Sequence, residues 1–349
     1  MIPKLPTRRD LLAMAGAWQV QARSAAGEQE PARVPPASEL VNLLEFDDAA
    51  RLKLGPAAYA PIGGSDREPF DRMTLWPRVF IDSAPLSLTT ELFGERMFSP
   101  ILVGPIGQQR QFHPEGEHAT VQGASAAKTV VVISSNSSYP VEEITARAKT
   151  TIWYQVYLER DTSAVRAQID RAVKAGCRAI CLTVGTQPAR PSQPAPVPRP
   201  NWRAIEQLRQ GLGVPVLLKG VMTPDDAQRA IERDIKGLVV SNGGLSGVRP
   251  APLDVLPSIA GAVGSQVPVL VDGSFRRGTD VIKALALGAK AVMLGRPPMW
   301  GLAAYGADGV QLVLKMLQME LARTMINVGM VTMDTIERSL VKIHGRASS

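Results

Sequence analysis

The chain has 349 residues, 45% of them hydrophobic and 20% charged, which places it among soluble globular proteins and excludes wholesale disorder and collagen-like repeats. Its 39 basic and 32 acidic residues give a net charge of +7 but form no Lys/Arg blocks, so no nucleic-acid surface is expected. Three histidines and two cysteines, Cys177 and Cys181, are too few for a metal site or a disulfide scaffold, and no apolar run reaches the roughly 18 to 20 residues of a membrane span.

At the N-terminus, Arg8 and Arg9 precede a mildly apolar stretch ending near Trp18 and then a small-residue site, Val20-Gln21-Ala22. That order reads as a twin-arginine export signal and implies a periplasmic protein; the alternative is a frayed basic tail on a cytoplasmic one. Residues 23–37 are polar, contain Pro31, Pro35 and Pro36, and read as a disordered spacer. The expected organisation is therefore residues 1–37 as signal and spacer, and residues 38–349 as one folded domain.

Within that domain residues 38–54 read as helix, and residues 82–93 as strands or loops that close the bottom of a barrel. Short β-branched runs then follow at 101–104, 130–134, 152–157, 179–184, 216–219, 237–241, 267–272 and 291–294. Most are continuously apolar, as parallel strands covered on both faces are, and the spacing leaves room for one helix between each pair. Helix starts are marked by Thr223-Pro224-Asp225-Asp226 and by Thr279-Asp280. Residues 310–327 read as a long amphipathic helix. Eight such units in one run predict an α/β (β/α)8 TIM barrel rather than an open doubly wound sheet, because no G-x-G-x-x-G follows the first strand. Residues 187–200, with six prolines, follow strand four and form either a stiff surface loop or a substrate lid.

The ends of strands seven and eight carry the strongest signal. Asp272, Gly273, Arg276 and Arg277 follow one strand, and Gly295, Arg296 and Pro297 follow the other. In a barrel these two loops commonly hold a phosphate, since glycine lets backbone N–H groups approach and arginine adds charge-assisted bonds. Structural ion pairs across the barrel mouth are the alternative use of the same arginines.

The run Asp272-Gly273-x-x-Arg276-Arg277-Gly278-Thr279-Asp280, followed by Leu294-Gly295-Arg296-Pro297, resembles the FMN-dependent 2-hydroxy acid oxidase and dehydrogenase family. The resemblance extends from about Glu39 to the C-terminus and implies FMN as cofactor and a small-molecule substrate. It implies that Pro105, Ile106 and Gly107 contact the flavin ring through their backbone, and that Ser134, Gln155 and Thr183 hydrogen-bond it. Tyr157 would face substrate. Lys219 would stand beside flavin N1 and O2, where two-electron reduction places negative charge that a fixed ammonium stabilises. Ser241, Asp272, Gly273, Arg276, Gly295 and Arg296 complete the implied cofactor site. Each polar residue also has a structural alternative: Ser134 and Thr183 as strand caps, Gln155 on a buried carbonyl, Lys219 paired with Asp272. A homo-oligomer follows by analogy only.

The catalytic end departs from the family pattern. Where the family reads Ser-Asn-His-Gly-Gly-Arg, this chain reads Ser241-Asn242-Gly243-Gly244-Leu245, so the histidine base and the carboxylate-binding arginine are missing. Pro61 stands at the second carboxylate-binding tyrosine and Gly185 at the aspartate that would orient the histidine. Arg249 and Arg190 are the only nearby arginines offered as replacements, and His113 and His118 lie at the start of the first barrel helix. Three functions compete: an FMN oxidoreductase with an altered substrate or reaction, using Tyr157 or Lys219 for proton traffic; an FMN-binding pseudoenzyme; or a hydroxy acid oxidase with a displaced catalytic loop. A polar-lined cavity favours the first, and a cavity filled by Leu245, Pro61 or the proline-rich loop favours the second.

Overall fold

Eight parallel strands close into a barrel: β1 (Ile101–Val103), β2 (Val130–Ser134), β3 (Ile152–Tyr157), β4 (Ile180–Thr183), β5 (Val216–Val221), β6 (Gly237–Val240), β7 (Val269–Asp272) and β8 (Ala291–Leu294). Each pairs with its sequence neighbours, and β8 returns to β1 through Val292↔Ile101, Met293↔Leu102 and Leu294↔Val103. The (β/α)8 barrel is the expected fold. All five residues of β2 are buried, as a strand covered on both faces requires. β7 begins two residues later than the apolar run, because Pro268 has no N–H to donate to a ladder. β5 continues to Val221 with a register irregularity just after Lys219.

The computed structural model describes residues 33–64, 66–78, 86–159, 161–184, 202–244 and 250–345. Contacts divide the chain into Met1–Pro35 and Pro36–Ser349, and the barrel belongs to the second unit. Arg8, Arg9 and the cleavage-like site, the proline-rich segment with Arg190, and Gly185, Leu245 and Arg249 all lie outside the described residues.

The barrel helices are α1 (Gly116–Ala126), α2 (Val141–Arg147), α3 (Thr162–Lys174), α4 (Trp202–Arg209), α5 (Pro224–Glu232), α6 (Pro252–Val263), α7 (Gly278–Ala286) and α8 (Arg296–Asn327). Thr223 caps α5 by accepting from Asp226 N, with Pro224 at the first position. α7 starts at Gly278, ahead of the expected Thr279-Asp280 opening, because the Asp280 carboxylate accepts the backbone N–H groups of both Arg276 and Arg277. Ahead of the barrel, the helix Leu43–Lys53 begins at Leu43 rather than 38, where Asn42 Oδ1 accepts from Leu44 N and Glu45 N. The hairpin Thr90–Leu92 and Glu95–Met97 inserts Leu92 and Met97 among Val130, Trp153, Leu217 and Leu270 and so closes the N-terminal end of the barrel.

The last helix is longer than residues 310–327 suggested. It starts directly after β8 and turns at Tyr305 and Gly306, where φ is −142° and 60°. The two halves touch backbone to backbone: a Cβ on Gly309 would lie 2.0 Å from the Gly301 carbonyl oxygen. Gly309→Ala is therefore expected to destabilise the fold by about 1 to 3 kcal/mol through overpacking, measured as a lower denaturant midpoint.

Candidate functional site

The C-terminal strand ends converge on a cavity of about 610 Å³, within the usual range for cofactor and substrate sites. Pro105, Ile106 and Gly107 of the β1–α1 turn form one wall. That turn is held by Glu117 on α1, whose buried carboxylate accepts from Gln109 N at 3.1 Å and Ser138 N at 2.9 Å. One acid thus ties the first two barrel loops together, a role the sequence pattern did not disclose.

Gln155, Tyr157 and Thr183 bring the ends of β3 and β4 to the same cavity. Ser134 lies behind them. Its hydroxyl donates to Gln155 Oε1 at 3.0 Å, and Gln155 Nε2 donates to Thr183 Oγ1 at 2.9 Å. This relay fixes the Gln155 amide and leaves the Thr183 hydroxyl, now an acceptor, with its own proton to donate.

On β5, Lys219 lines the cavity and reaches Ser241 Oγ at 2.6 Å and Asp272 Oδ2 at 2.5 Å. Ser241 sits behind, donating to Asp272 Oδ2 at 2.8 Å. Burial alone would lower the Lys219 pKa, but the adjacent Asp272 carboxylate more than offsets it and the net shift is upward. Lys219 is therefore a fixed cation, paired as the structural alternative proposed yet still exposed to the cavity. Below it, Cys181 is packed in the interior with its thiol pushed up to about 12 by burial.

Asp272, Gly273, Gly295 and Arg296 line the far end, together with Ser274 and Asp66. Arg296 donates to the carbonyls of Gly63 and Gly64. Arg276 is one layer back, only 2% exposed, folded over the Trp300 ring at 4.4 Å. Its Nη1 bonds the Phe275 carbonyl, whereas Nε and Nη2 have no partner among the described residues. Burial, reinforced by Arg296, pushes the Arg276 pKa down to about 9. A buried guanidinium with two orphan donors beside a second arginine calls for an anion, and a phosphate provides acceptors for both. The residues present therefore fit the phosphate of FMN.

The remaining wall is built by Pro61, Phe112, Asn242, Gly243, Pro252 and Leu253. None of the chain's three histidines lines the cavity. His113 Nδ1 accepts from Glu115 N, His344 meets Thr74 Oγ1, and His118 is buried on α1 with its ring stacked on Tyr139 at 3.7 Å. Sequence reasoning missed Asp66 and Ser274. Asp66 belongs to a loop without a motif, and Ser274 matters through its left-handed backbone, φ 57°, which no residue pattern reveals.

A sequence model of one protein family, described as FMN-dependent dehydrogenase, matches residues 64–193 and 190–343. A peroxisomal (S)-2-hydroxy-acid oxidase of Oryza sativa subsp. japonica is 35% identical, covering 87% of this chain and 96% of the relative. An L-lactate oxidase of Nostoc sp. is 34% identical over 88% of this chain and 99% of its own length. Among solved structures, mandelate oxidase with (S)-2-phenylpropionate superposes with a TM-score of 0.81 at 34% identity, covering 87% of this chain and 99% of that one.

Proposed function

The chain belongs to the FMN-dependent dehydrogenase family, whose relatives are 2-hydroxy acid oxidases, and we propose that it is an FMN oxidoreductase acting on a substrate other than a simple 2-hydroxy acid. The observation that carries this reading is the position of the three histidines, all outside a cavity that presents Gln155, Tyr157, Thr183, Lys219, Asn242 and Asp272 on a largely apolar wall. FMN held by this cavity would supply a two-electron, hydride-accepting centre. The chain's own contribution is electrostatic and positional. Lys219, held protonated by Asp272, presents a fixed positive charge, and the Ser134–Gln155–Thr183 relay presents an oriented hydroxyl. Asp272 already accepts from both Lys219 and Ser241, so proton traffic falls to Tyr157. Pro61 brings no hydroxyl to the wall where the resemblance expects a tyrosine.

A cavity of this size with Tyr157, Thr183, Lys219 and Asn242 on its surface supports an enzyme over a filled pseudoenzyme. Anaerobic mixing of the flavoprotein with hydroxy acids, amines and aldehydes tests the reading. Bleaching of the flavin absorbance by a member of the last two classes supports it, and bleaching by hydroxy acids alone overturns it.

Export by the twin-arginine route is part of the same proposal, since that route carries folded, cofactor-loaded proteins. Replacing Arg8 and Arg9 by lysine preserves charge but removes the pair a receptor reads, and the variant is expected to stay in the cytoplasm on fractionation. Unchanged localisation would leave the arginines as an ordinary basic tail.

A further inference from the structure

We propose that the Ser274 hydroxyl is a direct ligand of the cofactor's phosphate, in addition to the two arginines. The inference rests on the reading of the cavity as an FMN site. Ser274 lines that cavity beside Arg296, two residues beyond the end of β7. Its φ of 57° lies in the left-handed region that favours glycine, so the side chain is kept at a backbone cost.

Its neighbours fix what the hydroxyl can do. Ser274 Oγ accepts from Asp66 N at 3.1 Å and from Arg296 Nη2 at 3.3 Å. The Ser274 carbonyl accepts from Arg67 Nη1 at 2.9 Å, and Arg67 in turn grips the fully buried Asp280 through two bonds, at 2.5 and 3.0 Å. Asp280 also holds the backbone N–H groups of Arg276 and Arg277. Arg67, Asp66 and Asp280 are thus positioning residues that lock Ser274 and the arginine-bearing loop in one conformation.

A hydroxyl has two acceptor lone pairs and one proton to give. Both lone pairs of Ser274 Oγ are taken by donors, and its proton has no acceptor among the described residues. The hydroxyl is therefore a donor with a proton to give on the cavity wall beside Arg296, in the same loop as Arg276, whose Nε and Nη2 have no acceptor among the described residues. A phosphate supplies acceptors for the Ser274 hydroxyl and for the orphan Arg276 nitrogens, with Arg296 adding positive charge beside them. Riboflavin lacks the phosphate, so a bond from Ser274 to that group makes Ser274 discriminate FMN from riboflavin.

The test titrates apoprotein with FMN and with riboflavin, following flavin fluorescence, for wild type, Ser274→Ala and Ser274→Gly. Loss of a hydrogen bond to a charged group should weaken FMN binding about 10- to 100-fold in both variants, with riboflavin affinity unchanged. Glycine is at ease at positive φ, so a loss in Ser274→Gly reports the hydroxyl rather than a distorted loop. An unchanged ratio of FMN to riboflavin affinity in both variants, whether the two affinities stay constant or fall together, overturns the contact while the FMN site stands. Wild type that binds neither flavin overturns the cofactor reading itself.

Discussion

Arg276→Met is expected to weaken FMN binding by about 10² to 10⁴-fold while leaving the apoprotein at least as stable as wild type. Arg276 Nε and Nη2 are buried without partners among the described residues, so a phosphate gains up to two charge-assisted bonds there, each contributing about 1.5 to 3 kcal/mol. In the apoprotein the same guanidinium is unfavourable, because burial and the neighbouring Arg296 depress its pKa to about 9. Methionine keeps an apolar stem against Trp300 and removes the isolated charge. Arg296→Ala should cost less affinity selectively, because Arg296 also anchors the Gly63 and Gly64 carbonyls, and its loss loosens the apoprotein too. Fluorescence titration and thermal melting of apoprotein separate the effects. Tight FMN binding by Arg276→Met with a lowered melting temperature would make Arg276 a structural residue and leave the phosphate elsewhere.

The barrel was legible because its strands are buried on both faces, which leaves continuous apolar runs such as Val130-Val131-Val132-Ile133, whose shortness and β-branched composition, rather than their period, mark them as strands. The site was legible at strand ends for a related reason. A closed barrel carries Gln155, Thr183, Lys219 and Asp272 from four strands to one mouth wherever the register falls, so strand assignment alone predicts their meeting. What escaped notice depends on long-range contacts between irregular segments. Asp66 and Arg67 reach Ser274 and Asp280 across more than 200 residues of sequence, and neither loop has a period to read. Asp280 was seen as a helix-opening acid, which it is, but its grip on Arg67 emerges only from the tertiary fold. The turn at Tyr305 and Gly306 was missed because each half of α8 is helical by itself, and only the Gly301–Gly309 contact reveals that the chain doubles back.

Lactate, glycolate and mandelate are expected to be oxidised at least ~10² to 10⁴-fold more slowly than a histidine-equipped site allows, which is what a positioned general base typically contributes. A 2-hydroxy acid must lose its hydroxyl proton as well as its α-hydrogen, and Asn242 is followed by Gly243 and Gly244 rather than by a base. Lys219 cannot serve instead. Burial taken alone would free its proton, but the Asp272 carboxylate 2.5 Å away reverses the shift and holds the ammonium charged. Asp272 is equally occupied, between Lys219 and Ser241. A second, independent penalty comes from orientation: Pro61 lines the wall and offers no hydroxyl to a carboxylate, so the acid is held less well for transfer. Inserting His-Gly after Asn242 should restore little, because Gly185 supplies no carboxylate to orient the new imidazole. Steady-state assays with the three acids, on wild type and the insertion variant, measure this. Wild-type turnover in the ordinary range of ~1 to 10³ s⁻¹ would show that a base enters the cavity from a segment the strand ends do not provide.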